Sequence, residues 1–144
     1  IGQGDDMEVK NLKNILAIKK IEKHFIFTGY LDYESSSISS HLDLLISLTR
    51  TFEGFGLSIA EAMSTGTAVL ATRVGAIPEY LNDSNSKLID PGNHNQVFEA
   101  LSDFLKNKKM WDERAEKAKN MINNKFTSEI MAKNYYNHFL QNFS

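Results

Sequence analysis

Apolar positions along the chain fall into two alternating rhythms, a three-to-four spacing and short continuous runs. Val9, Leu12, Ile15, Leu16 and Ile18 follow the first and predict a helix over 7–20, capped by Asp5 or Asp6. Residues 25–28 read as a short strand ended by Gly29, whereas the serines of 35–41 favour a loop. The run 42–48 is apolar with one acid, the pattern of a strand buried on both faces. A helix over 57–64 follows, ended near Thr65-Gly66 by a left-handed glycine cap, and then a strand over 68–71 with Val69 and Leu70 as its core. Pro78 is tolerated at the start of a one-turn helix over 77–81; 82–85 is a turn and 87–89 a last short strand. The remainder predicts three helices: 95–106 around Val97, Leu101 and Phe104, 108–123 around Trp111, Ala115, Ala118 and Ile122, and 127–141 around Ile130 and Tyr135 with Thr127 as cap. Such alternation argues for an α/β fold: a Rossmann-like parallel sheet with helices on both faces.

Composition narrows the partners more than the chemistry. At 144 residues the chain is about one domain. A net charge of −2 and 24% charged residues give no sign of bulk nucleic-acid binding. There is no cysteine, which removes disulfides and thiolate metal sites and fits a reducing compartment. His24, His41, His94 and His138 are scattered, and no Asp–His grouping suggests a metal site. The chain opens on Ile1, and Gly2-x-Gly4 reads either as the exit from a strand or as a loose terminus.

The chemistry concentrates in Glu53-Gly54-Phe55-Gly56-Leu57-Ser58-Ile59-Ala60-Glu61. A strand, a glycine-spaced turn and a helix start form an anion site, because first-turn N–H groups lack intrahelical partners and the helix dipole favours negative charge there. Glu53 and Glu61 would repel a diphosphate at short range, so sugar hydroxyls are their better partners. Glu61 lies in the following helix, whose side chains lean back toward the ligand end. Phe55, between two glycines, reads as a loop anchor whose backbone matters more than its ring. The plain alternatives are a solvated loop acid for Glu53 and a helix-surface residue for Glu61.

Glu53-Gly54-Phe55-Gly56 with Glu61-Ala62-Met63, then 66–72, then Val74-Gly75-Ala76-Ile77-Pro78-Glu79, resembles the glycosyltransferase group 1 family, retaining enzymes of GT-B fold in carbohydrate-active family 4. Phe25-Ile26-Phe27-Thr28-Gly29-Tyr30 and Leu88-Ile89-Asp90-Pro91-Gly92 extend the likeness along nearly the whole chain. The resemblance implies the C-terminal half of a GT-B enzyme, truncated at its N-terminus and lacking its first strand–helix unit, with 1–144 a partial donor domain and 107–144 its C-terminal helices. It places a short helix in 35–41. It implies that Glu53 lies by the transferred sugar as the catalytic residue and that Glu61 accepts from the nucleotide ribose. The amides of Phe55, Gly56 and Leu57, after Gly54, would face sugar and phosphates, and Leu31 would pack on the base. Gly75 and Pro78-Glu79 match a loop near the site.

Function follows as expectation: transfer of a hexose from a nucleoside-diphosphate sugar to a glycan or lipid-linked acceptor, in glycan or lipopolysaccharide biosynthesis, with no cofactor and no metal. The acceptor would bind a domain outside this chain, as would the basic pair that neutralises phosphate, so the chain alone should bind donor weakly and transfer nothing. A cytoplasmic location is implied. Seven basic residues against three acids over 106–125 form either a solvated helix face or a peripheral contact with an anionic membrane. The sequence departs from the family at Thr49 and Arg50, where a Pro–Ser pair is usual, and at Thr67-Ala68, where a Pro is common. Three other readings stand beside this one: a glycosidase using Glu53 and Glu61 as a carboxyl pair, a nucleotide-sugar epimerase of GT-B fold, and a non-catalytic remnant or interaction domain.

Overall fold

The computed structural model describes residues 5–32 and 35–143, so the reading of Gly2-x-Gly4 lies outside the described residues. The chain forms two compact units, 1–33 and 34–144.

In the first unit, helix α1 spans Asp6–Ile18. Asp5 caps it as predicted, its carboxylate accepting from the N–H of Met7 at 2.9 Å and of Glu8 at 3.2 Å. The helix closes with Lys20 N–H donating to Ala17 O and Ile21 N–H to Leu16 O, the paired bonds of a Schellman motif. Its left-handed position is held by Lys20 at φ 56°, where glycine is usual. A single 3₁₀ turn, Glu22–His24, follows. The strand expected over 25–28 does not form: the segment is irregular and Ile26 is 89% exposed. A strand exists only through ladder bonds to a neighbour, and no described residue pairs with these. The segment meets α1 instead through the Lys13 ammonium, 5.1 Å from the centre of the Phe27 ring.

The second unit begins with the short helix α2, Ser35–Ser39, in the stretch whose serines favoured a loop. Its centre is a three-stranded parallel sheet, β1 (Leu44–Ser47), β2 (Ala68–Thr72) and β3 (Lys87–Ile89), in the order β1-β2-β3. Leu44 pairs with Ala68, and Leu70 with Lys87. Helix α3 (Leu57–Thr65) links β1 to β2, and the one-turn α4 (Ile77–Tyr80) links β2 to β3. Three helices close the chain: α5 (His94–Lys106), α6 (Lys108–Lys125) and α7 (Ser128–Phe143).

β2 is buried along its whole length, and its alternation divides the core in two. Val69 and Ala71 join Ile59 and Met63 of α3, Ile77 and Tyr80 of α4, and Ala118 and Ile122 of α6. Ala68 and Leu70 join Ile89, Ala100 and Phe104 of α5, and Trp111 and Ala115 of α6. Trp111 stands edge-on to Phe104 at 5.4 Å and donates its indole N–H to Asp103 at 2.8 Å, so the largest buried ring has no orphaned polar atom.

β1 departs from expectation. Leu44 and Leu45 pack against the two core clusters, but Ile46 and Leu48 are each 43% exposed. Among the described residues β1 pairs with β2 alone, so it is an edge strand and not one buried on both faces. Two threonines, one just before β2 and one at its end, tie the strand to the end of α2 and to the segment after β1. Thr67 donates its hydroxyl to Ser39 O at 2.6 Å, and Thr72 to Thr49 O at 2.6 Å. A proline at Thr67 would lack that hydroxyl, so this departure from the family pattern has a structural use.

Candidate functional site: the glycine turn before α3

β1 ends at Ser47 and α3 begins at Leu57, so the connection runs off the carboxyl end of a parallel strand, the rim where open α/β sheets take ligands. Gly56 is the N-cap of α3, with φ 77° and ψ 62°. Its carbonyl accepts from Ile59 N–H at 2.9 Å and Ala60 N–H at 3.0 Å. Being glycine, it offers no side chain to cover the N–H groups of the first turn. A Cβ at Gly56 would be 3.1 Å from Ile59 Cδ1, 3.2 Å from Tyr80 Oη and 3.5 Å from Glu53 Cγ. The aliphatic stem of Glu53 is therefore folded against the turn that starts the helix.

The turn is held from behind by the segment between β2 and β3. Ala76 N–H donates to Glu53 O at 3.1 Å, and the Tyr80 hydroxyl donates to Phe55 O at 2.5 Å. Gly75 sits at φ 51°, with Glu53 O only 2.0 Å from where its Cβ would be. The Phe55 ring stacks on Tyr80 at 5.0 Å and lies 5.5 Å from Phe126, which follows α6. Phe55 thus packs on the core through its ring, as the sequence suggested.

Glu53 and Glu61 are both half-buried. Glu61 lies four residues beyond Leu57, about 6 Å along the axis and on the same helix face at 1.5 Å per residue. That face is opposite to the one buried through Ile59, Ala62 and Met63. Leu57 is 69% exposed. Leu31 is a half-buried residue of the first unit. Arg50 is exposed and lines a small cavity of about 60 Å³ with Thr72, Asn93 and His94. Larger cavities of about 420 Å³, between β3 and α5, and about 460 Å³, around Asp90–Asn95, are lined by neither Glu53 nor Glu61.

The Tyr80 phenol is pushed up to about 12, first by burial and then by the negative charge of Glu53. Sequence reasoning missed Tyr80, Ala76 and Phe126 as partners of the turn. The one available signal was a tyrosine in a one-turn helix after Pro78, since a buried phenol needs an acceptor; nothing in the sequence says that the acceptor lies 25 residues earlier.

Among the described residues no group of three or more His, Asp or Glu is placed to hold a metal ion, and no helix is long and apolar enough to cross a membrane.

The family model described as "Glycosyl transferases group 1" matches residues 1–126. The chain is 29% identical over 134 residues to the O-antigen biosynthesis glycosyltransferase WclY of Escherichia coli, covering 93% of this chain and 36% of that protein. It is 28% identical over 133 residues to N-acetyl-alpha-D-glucosaminyl L-malate synthase of Bacillus anthracis, covering 92% of this chain and 34% of that protein. With the sucrose synthase of Acidithiobacillus caldus it shares 40% identity over 86 residues, 56% of this chain and 11% of that one. The chain therefore spans about a third or less of the length of these relatives.

Among solved structures, the C-terminal domain of the group 1 glycosyl transferase LpcC of Francisella tularensis superposes with a TM-score of 0.78 at 28% identity, over 86% of this chain and 65% of that one. Anabaena HepE, in complex with UDP and glucose, gives a TM-score of 0.88 at 20% identity, over 97% of this chain and 39% of that one, a likeness of fold. The parallel sheet with helices, matching the C-terminal domains of GT-B enzymes, is thus as the sequence implied. The chain belongs to the group 1 glycosyl transferases.

Proposed function

We propose that this chain is the donor-binding portion of a retaining glycosyltransferase that moves a hexose from a nucleoside-diphosphate sugar to a glycan or lipid-linked acceptor. The observation that carries the reading is the glycine turn, which brings the Glu53 stem against an αL glycine N-cap whose first-turn amides no cap side chain covers. HepE was solved with UDP-glucose, which supports a UDP-sugar as the first donor to try.

In this reading Glu53 lies beside the transferred sugar and accepts from its hydroxyls. Glu61, one turn into α3, accepts from the ribose. The N–H groups of Phe55, Gly56 and Leu57 take sugar and phosphate oxygens, with Gly54 giving the chain room to approach. Donor positioning and stabilisation of the leaving diphosphate carry the rate, with no protein nucleophile from this chain and no metal. The exposed basic residues of α6 support a peripheral contact with an anionic membrane where a lipid-linked acceptor would sit.

Calorimetric titration of UDP- and GDP-sugars into wild type and Glu61→Ala tests the assignment. The expected result is binding of one nucleotide class, weakened about tenfold or more when the ribose loses a charge-assisted hydrogen bond. Equal affinity in the two proteins, both folded, overturns the ribose role; absence of binding to any nucleotide sugar overturns the donor site.

A further inference from the structure

The glycine turn has little intrinsic reason to keep one shape. Gly54 and Gly56 flank Phe55, and glycine reaches both halves of backbone conformational space at little cost. A peptide between such residues flips easily, and a flip exchanges an N–H for a C=O on the ligand side. In a trans peptide the two groups point in opposite directions, so whatever holds the carbonyl also aims the next residue's N–H. Two donors from a single short segment hold two carbonyls of this turn: Ala76 N–H takes Glu53 O, and the Tyr80 hydroxyl takes Phe55 O.

We propose that Tyr80 is a positioning residue of the donor site: its hydroxyl locks the Phe55–Gly56 peptide so that the turn presents N–H groups, and not a carbonyl, to the diphosphate. The inference rests on the donor-site reading above. Three observations carry it. The bond is short at 2.5 Å, and the phenol is 6% exposed, so water competes poorly for it. The ring is held in a cluster of three, with Phe55 at 5.0 Å and Phe126 at 5.9 Å, and this packing restricts where the hydroxyl can point. Gly56 leaves room for it: a side chain there would stand 3.2 Å from Tyr80 Oη. Burial and the nearby Glu53 keep the proton on the phenol at any working pH, so it remains a donor. Ala76 does the same for the Glu53–Gly54 peptide through the backbone, where no side chain is needed.

The test compares the whole chain as wild type and Tyr80→Phe, which keeps the ring stack and removes the hydroxyl. Three quantities are read: melting temperature, amide resonances of Gly54 and Gly56 without ligand, and affinity for UDP. The expected outcome is a melting temperature near that of wild type, a displaced or doubled Gly56 amide, and UDP binding weakened about tenfold or more. An unchanged Gly56 amide overturns the lock, as does unchanged UDP affinity. A loss of affinity accompanied by a comparable loss of melting temperature also overturns it, since that is the signature of general damage. Should wild type bind neither UDP nor a UDP-sugar, the donor-site reading fails while the ligand-free Gly56 amide still decides the lock. In wild type alone, UDP should shift the Gly56 and Leu57 amides most; shifts confined to other segments count against the proposal.

Discussion

The carbonyl oxygen of Glu53 occupies the space that a Cβ on Gly75 would need, 2.0 Å from its ideal position. The clash is with backbone, so no rotamer change relieves it, and φ 51° is itself costly for any residue with a side chain. Gly75→Ala should therefore destabilise the chain by about 2 kcal/mol or more. The loss should appear in thermal denaturation, together with weaker nucleotide binding as Glu53 is pushed away. A variant as stable as wild type would mean that the two loops are not in contact.

Asp103 gives the chain an acid-sensitive element. Its carboxyl is held below the usual range by the hydrogen bond from Asn107, then by that from Trp111, with Arg114 and Lys87 adding smaller attractions. A depressed carboxyl contributes stability that is present above its unfolded value, about 3.9, and is lost as pH falls through the folded value. The stability difference between wild type and Asp103→Asn should be constant above about pH 5 and shrink below about pH 4. Urea melts across that range would measure it, and a pH-independent difference would refute it.

Tyr80 provides the alkaline counterpart. One of the five tyrosines should titrate at about 12 in a phenolate absorbance experiment, and that step should be missing in Tyr80→Phe. Because burial and Glu53 disfavour the phenolate, stability is unaffected by this group below its unfolded value near 10 and falls as pH climbs from there through the folded value. Stability should thus decline across that alkaline window and not at neutral pH.

Lys20 closes α1 at φ 56°, in a place where glycine costs nothing sterically. Lys20→Gly should stabilise the helix end by about 0.5–1 kcal/mol, the left-handed penalty less the extra chain entropy of glycine. Slower amide exchange in the last turn of α1 would be the readout, and faster exchange would contradict it.

β1 should make the isolated chain prone to self-association. Ile46 on this edge strand and Leu48 just past its end are each 43% exposed, with charge only at Asp43 before the strand and Arg50 after it. Gel filtration over a concentration series should show association that Ile46→Lys reduces, whereas a concentration-independent monomer would remove the expectation.

Sequence alone determined most of the elements here, because each is written in local chemistry. Asp5 caps α1, Gly66 ends α3 at φ 87°, Thr127 stands at the start of α7, and the alternation of β2 splits its side chains between two cores. The glycine turn and its two acids were legible for the same reason: residue type and spacing carry the chemistry. Tertiary structure decided the rest. Residues 25–28 have the composition of a strand, but no described residue pairs with them; 42–48 read as fully buried, but among the described residues β1 is an edge. Neither fact is local, since a ladder and a covered face both belong to a neighbour. The hold of Ala76 and Tyr80 on the Glu53 turn is of the same kind. It joins residues more than twenty positions apart, and only the packing of α4 against the start of α3 brings a donor to each carbonyl.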